Sequence, residues 1–327
     1  MSTSIIVLIA LALSFSFMNG LHDSRNIVST LISSRAYSPR VALTMTVLAE
    51  FFGPFLFGSV VAQTIGRGII NSDAITERVL TSALATAILW NLVTWLVRLP
   101  SSSSHALIGG LLGAASMYEG AKAVQAEGLF KILLSLFFTP ILGFLVGFLL
   151  LRLILALSQN ATPRINIFFK KSQILTALAL SLSHGSNDGQ KSMGIITLGL
   201  VSTGYLTSFS IPLWVVALCA LAISLGTAVG GWKLIHTVGG ISFYSIQPVD
   251  GFSAQVTSAL IILIASLLGG PVSATQVINT SIMGIGAAER VNKVRWKVAQ
   301  DIVVAWILTI PATTLAAAVV YWLMGRL

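Results

Sequence analysis

The sequence predicts an all-α polytopic membrane protein of two inverted-topology repeats, with broken helices, re-entrant helical hairpins and about 10–12 membrane segments. Three observations predict it. The first is composition: of 327 residues, 55% are hydrophobic and only 9% charged, with mean hydropathy +0.92. A soluble domain carries about 25% charged residues, so this chain has too little polar surface for a water-facing exterior. The second is a set of long apolar runs at 129–151, 211–231 and 302–323. Each matches the roughly 20 apolar residues that cross a hydrocarbon core as helix. The third is an internal repeat of two motifs in the same order.

Charge fits the same class. A net charge of +9 would suggest nucleic acid in a soluble protein, but here the basic residues collect in a few interhelical loops, as the positive-inside rule produces. No nucleic-acid partner is expected. The apolar stretch 5–17 lacks a basic flank and a small-residue cleavage site, so it reads as a membrane helix rather than a signal peptide. The single Cys219 lies inside an apolar run and suits core packing.

The repeat sets the domains. Residues 98–105 (RLPSSSSH) are answered by 269–276 (GGPVSATQ), and 20–26 (GLHDSRN) by 185–191 (GSNDGQK). Asp23 and Asp188 are 165 positions apart (188 − 23), and Pro100 and Pro271 are 171 apart (271 − 100). We therefore expect a first repeat at 1–158, a basic cytoplasmic linker at 159–171 and a second repeat at 172–327. Placing the loops with Arg35 and Arg40, then Arg152, Arg164, Lys170 and Lys171, then Lys233, then Arg290, Lys293, Arg295 and Lys297 in the cytoplasm puts the N-terminus outside. The second half then starts inside, which inverts it relative to the first.

Each half reads in the same order. A helix interrupted by polar residues (3–34; 172–203) precedes a crossing helix (41–65; 211–231). A helix then runs into a Pro- and Ser-bearing turn and back (79–117; 252–288), and a last span closes the half (128–157; 298–323). Polar non-helical backbone at membrane depth is tolerated only beside protein or a cavity, so both turns read as hairpin tips.

The candidate chemistry sits at the repeated motifs. Asp23 and Asp188 occupy matching places, and a carboxylate at membrane depth is costly unless paired or bathed in a cavity. With the side-chain oxygens of Asn26, Asn187 and Gln190 they suit a hard cation such as sodium; a carboxylate could instead carry a proton. The tips offer the hydroxyls of Ser101, Ser102, Ser103 and Ser104, and of Ser273 and Thr275. Each tip precedes a helix, whose N-terminal N–H groups attract anions. Arg25 and Lys191 either neutralise an anion or pair with the aspartates. His22 and His184 are either proton carriers or structural, and Glu50 either couples transport or ties two helices. No Walker A loop, HExxH or nucleophile–base arrangement occurs, so no enzymatic activity is expected.

These residues carry a resemblance. The stretch 183–194 (SHGSNDGQKSMG) resembles the second-half signature of the inorganic phosphate transporter (PiT) family, and 89–95 (LWNLVTW) leading into 99–110 (LPSSSSHALIGG) resembles its first hairpin. Residues 50–53 (EFFG) and 305–311 (AWILTIP) are similar to further family stretches. The likeness is to a bacterial or archaeal-type member and spans nearly the whole chain. It implies a symporter of inorganic phosphate coupled to sodium or protons by alternating access, in the cell membrane, often as a homodimer. By resemblance, Asp23, Asn26, Asn187 and Asp188 are expected at cation sites that could take sodium, while Ser102, Ser103, Ser104, Ser273, Thr275 and Gln190 are expected to hold phosphate. No cofactor is implied beyond a bound sodium ion. The alternatives are a sulfate or other oxyanion permease of the same fold, or a phosphate sensor or channel.

Two departures stand out. The family's first-half Asn-Asp-x-Ala-Asn is His22-Asp23-Ser24-Arg25-Asn26 here, so a guanidinium could supply positive charge beside Asp23. Gln255 stands where many members carry glutamate.

Overall fold

The computed structural model describes residues 2–34, 36–97, 99, 101–237, 247–294 and 296–326. Arg35, Pro100 and Arg295, invoked above, lie outside them, as does the Lys233 side chain. The described residues form eleven α-helices with three short 3-10 turns. They are α1 (Thr3–Ser33), α2 (Pro39–Leu56), α3 (Val60–Gly68), α4 (Glu77–Leu96), α5 (Ser103–Glu119) and α6 (Ala126–Leu157), followed by α7 (Ile165–Ser202), α8 (Leu213–Thr237), α9 (Pro248–Leu267), α10 (Ala274–Glu289) and α11 (Trp296–Met324). Six helices are long and apolar enough to cross a membrane, or seven if the bent pair α2 and α3 counts as one span. The chain is a multi-pass membrane protein.

The outermost and innermost helices differ in composition as their surroundings require. α6 and α11 bury about a fifth of their apolar windows, the signature of helices whose flanks meet lipid. α7 is the opposite: every residue from Ser183 to Leu200 is buried. A helix covered all round is the centre of a bundle. It carries the most polar stretch of the chain because protein, not lipid, surrounds it.

The breaks do not fall where the polar motifs suggested. α1 runs unbroken through 20–26 and α7 through 183–191. A buried aspartate does not force unwinding when other helices bring it partners, and here they do. The sharp bend lies instead between α2 and α3, at 68°, inside the segment expected to cross as one helix. Pro54 sits in the last turn of α2, and Gly58 at the break has φ +74, a left-handed conformation that costs glycine little. The expected linker also differs, since 165–171 belong to the start of α7.

The two hairpins are present as α4–α5 and α9–α10. Packing partners exchange between the halves: α1 lies on α8 and α7 on α2, α5 on α11 and α10 on α6, α4 on α11 and α9 on α6. Glycines permit the closest crossings. Gly20 faces the Ile223 carbonyl and Gly226 the Phe17 carbonyl across α1 and α8, while Gly53 faces the Leu182 carbonyl and Gly185 the Glu50 carbonyl across α2 and α7. Small residues let membrane helices approach backbone to backbone, where packing rather than hydrophobicity holds them together.

A Cβ at Gly185 would overlap the Glu50 carbonyl and meet Glu50 Cα at 2.7 Å. Gly185→Ala is therefore expected to destabilise the protein by about 1–3 kcal/mol through overpacking. Gly286→Ala is the control, since its nearest neighbour would be Val294 Cγ2 at 3.5 Å. Thermal unfolding in detergent compares the two, and equal midpoints would show that the α2–α7 crossing is not tight.

Candidate functional site

Asp23 and Asp188 come together at the centre, one from α1 and one from α7. His184, one turn before Asp188, stands between them. Its Nδ1 lies 2.8 Å from Glu50 Oε1 on α2, and its Nε2 lies 3.3 Å from Asp23 Oδ2 and 3.7 Å from Asp188 Oδ2. His184 and Glu50 are fully buried, and Asp23 and Asp188 nearly so. Three carboxylates thus face one imidazole away from water, an arrangement that costs free energy unless further charges or hydrogen bonds offset it.

The hairpin tips supply part of that offset. The Thr275 hydroxyl, in the first turn of α10, donates to Asp23 Oδ1. Lys191 Nζ donates to Asp188 Oδ1 at 2.5 Å, to Ser104 Oγ at 2.6 Å and to the Val272 carbonyl at 2.9 Å. Ser104 Oγ in turn donates to the same carbonyl at 2.9 Å. The two tips therefore touch each other and the central helix at one point.

Asn187 joins the second tip to α7 as well. Its Nδ2 donates to Ser266 Oγ at 2.7 Å, and its Oδ1 accepts from Val272 N at 3.3 Å. Gln190 does something the motif did not suggest. Its Oε1 accepts from Val61 N at 2.9 Å and Ala62 N at 3.3 Å, capping the start of α3 and so holding the bend after α2. Ser102 is the N-cap of α5, accepting from His105 N, while Ser273, at the N-cap of α10, makes no side-chain cap bond. Ser103 is half-buried beside them.

Two candidates stand apart from this cluster. Asn26 is half-buried on α1, and Arg25 is exposed and forms no salt bridge among the described residues. Gln255 sits in a separate polar group, accepting from Thr176 Oγ1 at 2.5 Å and donating to Thr30 Oγ1 at 3.0 Å.

What the centre can do follows from what is unpaired. Asp188 Oδ2 has no hydrogen-bond partner among the described residues. Ligand atoms of Asp23, His184 and Asp188 lie within 4.8 Å of one another, so the carboxylates can share a small cation. Gln276, in the first turn of α10, is buried, and neither of its amide atoms has a hydrogen-bond partner among the described residues. Buried amides ordinarily find partners, so this one has donor and acceptor capacity for a ligand. It was missed from sequence because it lies in apolar surroundings, one residue beyond the hydroxyls. Beside it, the uncapped first-turn N–H groups of α10 favour an anion.

A multi-pass helical protein that gathers buried carboxylates, an ammonium and two hairpin tips at its centre belongs to the class of membrane transporters. The comparisons with known proteins name the family. Residues 19–317 match the phosphate transporter family, and the chain belongs to it. A protein of Rhizobium meliloti (strain 1021) is 44% identical over 317 residues, covering 96% of this chain and 95% of its own. One of Bacillus subtilis (strain 168) is 40% identical over 326 residues, covering 98% and 97%. Both are described as "Probable low-affinity inorganic phosphate transporter". A solved structure, "The sodium-dependent phosphate transporter", superposes with TM-score 0.90 at 26% identity over 100% of both chains.

Proposed function

We propose that the protein is a symporter that carries inorganic phosphate across the cell membrane, coupled to sodium or protons, by alternating access between two inverted halves. One observation carries this reading: the acidic residues of α1 and α7 and the hydroxyl-bearing tips of both hairpins meet at a single buried centre. A cation shared by Asp23 and Asp188 would neutralise carboxylates that otherwise repel an anion. Phosphate would then sit at the tips, taking hydrogen bonds from the first-turn N–H groups of α10, from Ser273 and from Gln276. Ser102, Ser103 and Gln190 would line or brace this position.

The exchange of packing partners between 1–158 and 172–327 supports the inverted repeat, because a pseudo-two-fold axis produces such an exchange. Rocking one group of helices against the other would open the centre to each side in turn. The N-terminus would face outside, as the loop charges require.

Proteoliposomes with an imposed sodium gradient, and separately an imposed proton gradient, test the reading. Labelled phosphate is expected to accumulate under one of the two, and excess sulfate to compete weakly. Accumulation under neither gradient would overturn symport, and full competition by sulfate would make the protein a general oxyanion permease.

A further inference from the structure

Lys191 presents a second charge problem. It is buried, with relative exposure of 1%, and its ammonium group meets a carboxylate oxygen, a hydroxyl and a backbone carbonyl. An ammonium has three N–H donors and no acceptor, so all its capacity is spent on protein atoms. The same three oxygens are what a small hard cation seeks.

The repeat supplies the comparison. Aligning Asp23 with Asp188 sets Asn26 against Lys191, since both lie three positions after the aspartate. In the first half the matching residue is a neutral amide, half-buried on α1. In the second half it is a cation in an oxygen cage drawn from α7 and both hairpins.

We propose that the Lys191 ammonium is a tethered counter-ion, occupying the cage of Asp188, Ser104 and Val272 in place of a mobile coupling cation. This rests on the transport reading above and sharpens it. The position between Asp23 and the unpartnered Asp188 Oδ2, outside the cage, is then the one that keeps room for a cation that travels with phosphate. The positive charge in the second half stays with the protein through every turnover, and the two tips are latched to α7 without an ion having to bind first.

The test uses two variants of the full chain in proteoliposomes. Lys191→Asn installs the residue that the first half carries and opens the cage; Lys191→Met keeps a long unbranched side chain there without its charge. Under the weakest sodium or proton gradient that drives the wild-type protein, Lys191→Asn is expected to lose at least about tenfold in phosphate uptake relative to the wild type, and to regain most of it on raising sodium or adding methylammonium. Lys191→Met should lose as much and regain nothing. Wild-type uptake by Lys191→Asn under that gradient would overturn the proposal, as would rescue of both variants or of neither.

Labelled-sodium binding to the purified wild-type protein gives an answer that needs no variant to fold. At most one saturable site per chain is expected, and two or more would overturn the tethered ion. If the wild type fails to move phosphate at all, the transport reading falls, whereas the sodium count still judges the cage.

Discussion

Asp188→Asn is expected to cut phosphate uptake by at least about a hundredfold while leaving the chain in the membrane. Insertion depends on the apolar runs and loop charges, none of which the substitution touches. Uptake depends on a carboxylate that does two things at once. Its Oδ1 holds Lys191 at 2.5 Å, and its Oδ2 is unpartnered beside His184 and Asp23. An amide of the same shape can still accept from Lys191, but it cannot neutralise it. Removing one member of a buried pair costs about 3–5 kcal/mol, because the other charge is left without compensation. The same change removes an anionic ligand from the position where Asp23 and Asp188 would share a cation. Labelled phosphate uptake, normalised to protein in the membrane fraction, is the measurement. Uptake at the wild-type rate would remove Asp188 from coupling altogether.

Much of this site was legible as spacing. His184 stands four residues before Asp188 and Lys191 three after, so a helix through them puts all three on one face. The matching motif around Asp23 announced a second acidic helix, and the serines marked the first turn of α5. The apolar runs foretold the spans because lipid imposes its length requirement on sequence directly. What was not legible depends on segments far apart in the chain. Nothing near Ser104 says that it meets Val272, and nothing near Gln190 says that it caps α3. The expected breaks at Asp23 and Asp188 failed for the same reason. A polar run inside an apolar helix looks like an interruption until its partners from other helices are known, and Glu50, Thr275 and Ser104 are those partners. Conversely, the real bend at 57–59 was masked by apolar sequence that continues through it, with only Pro54 and Gly58 as signs.

His184→Ala should be the most destabilising single change at the centre, and Glu50→Gln should partly repair it. Without the ring, Glu50, Asp23 and Asp188 lose the group that stands between them, and Glu50 Oε1 loses a hydrogen bond of 2.8 Å at a position with no access to water. Loss on the scale of a broken buried ion pair, about 3–5 kcal/mol, is expected in detergent unfolding. Glu50→Gln removes one of the three stranded carboxylates, so in the double variant part of that loss should return. A coupling energy of about 0.5–3 kcal/mol between the two sites is the range for residues in one network. Strict additivity of the two losses would mean that the ring and Glu50 act independently, against the geometry. The coupling bears on transport as well as on stability. The ring ties α7 to α1 through Asp23 and to α2 through Glu50, so any rocking that separates α7 from either helix must break one of these bonds. A variant that stays folded but holds the ring to one helix only, such as Glu50→Leu, which removes the oxygen that meets Nδ1, should therefore keep phosphate binding and change the rate of counterflow.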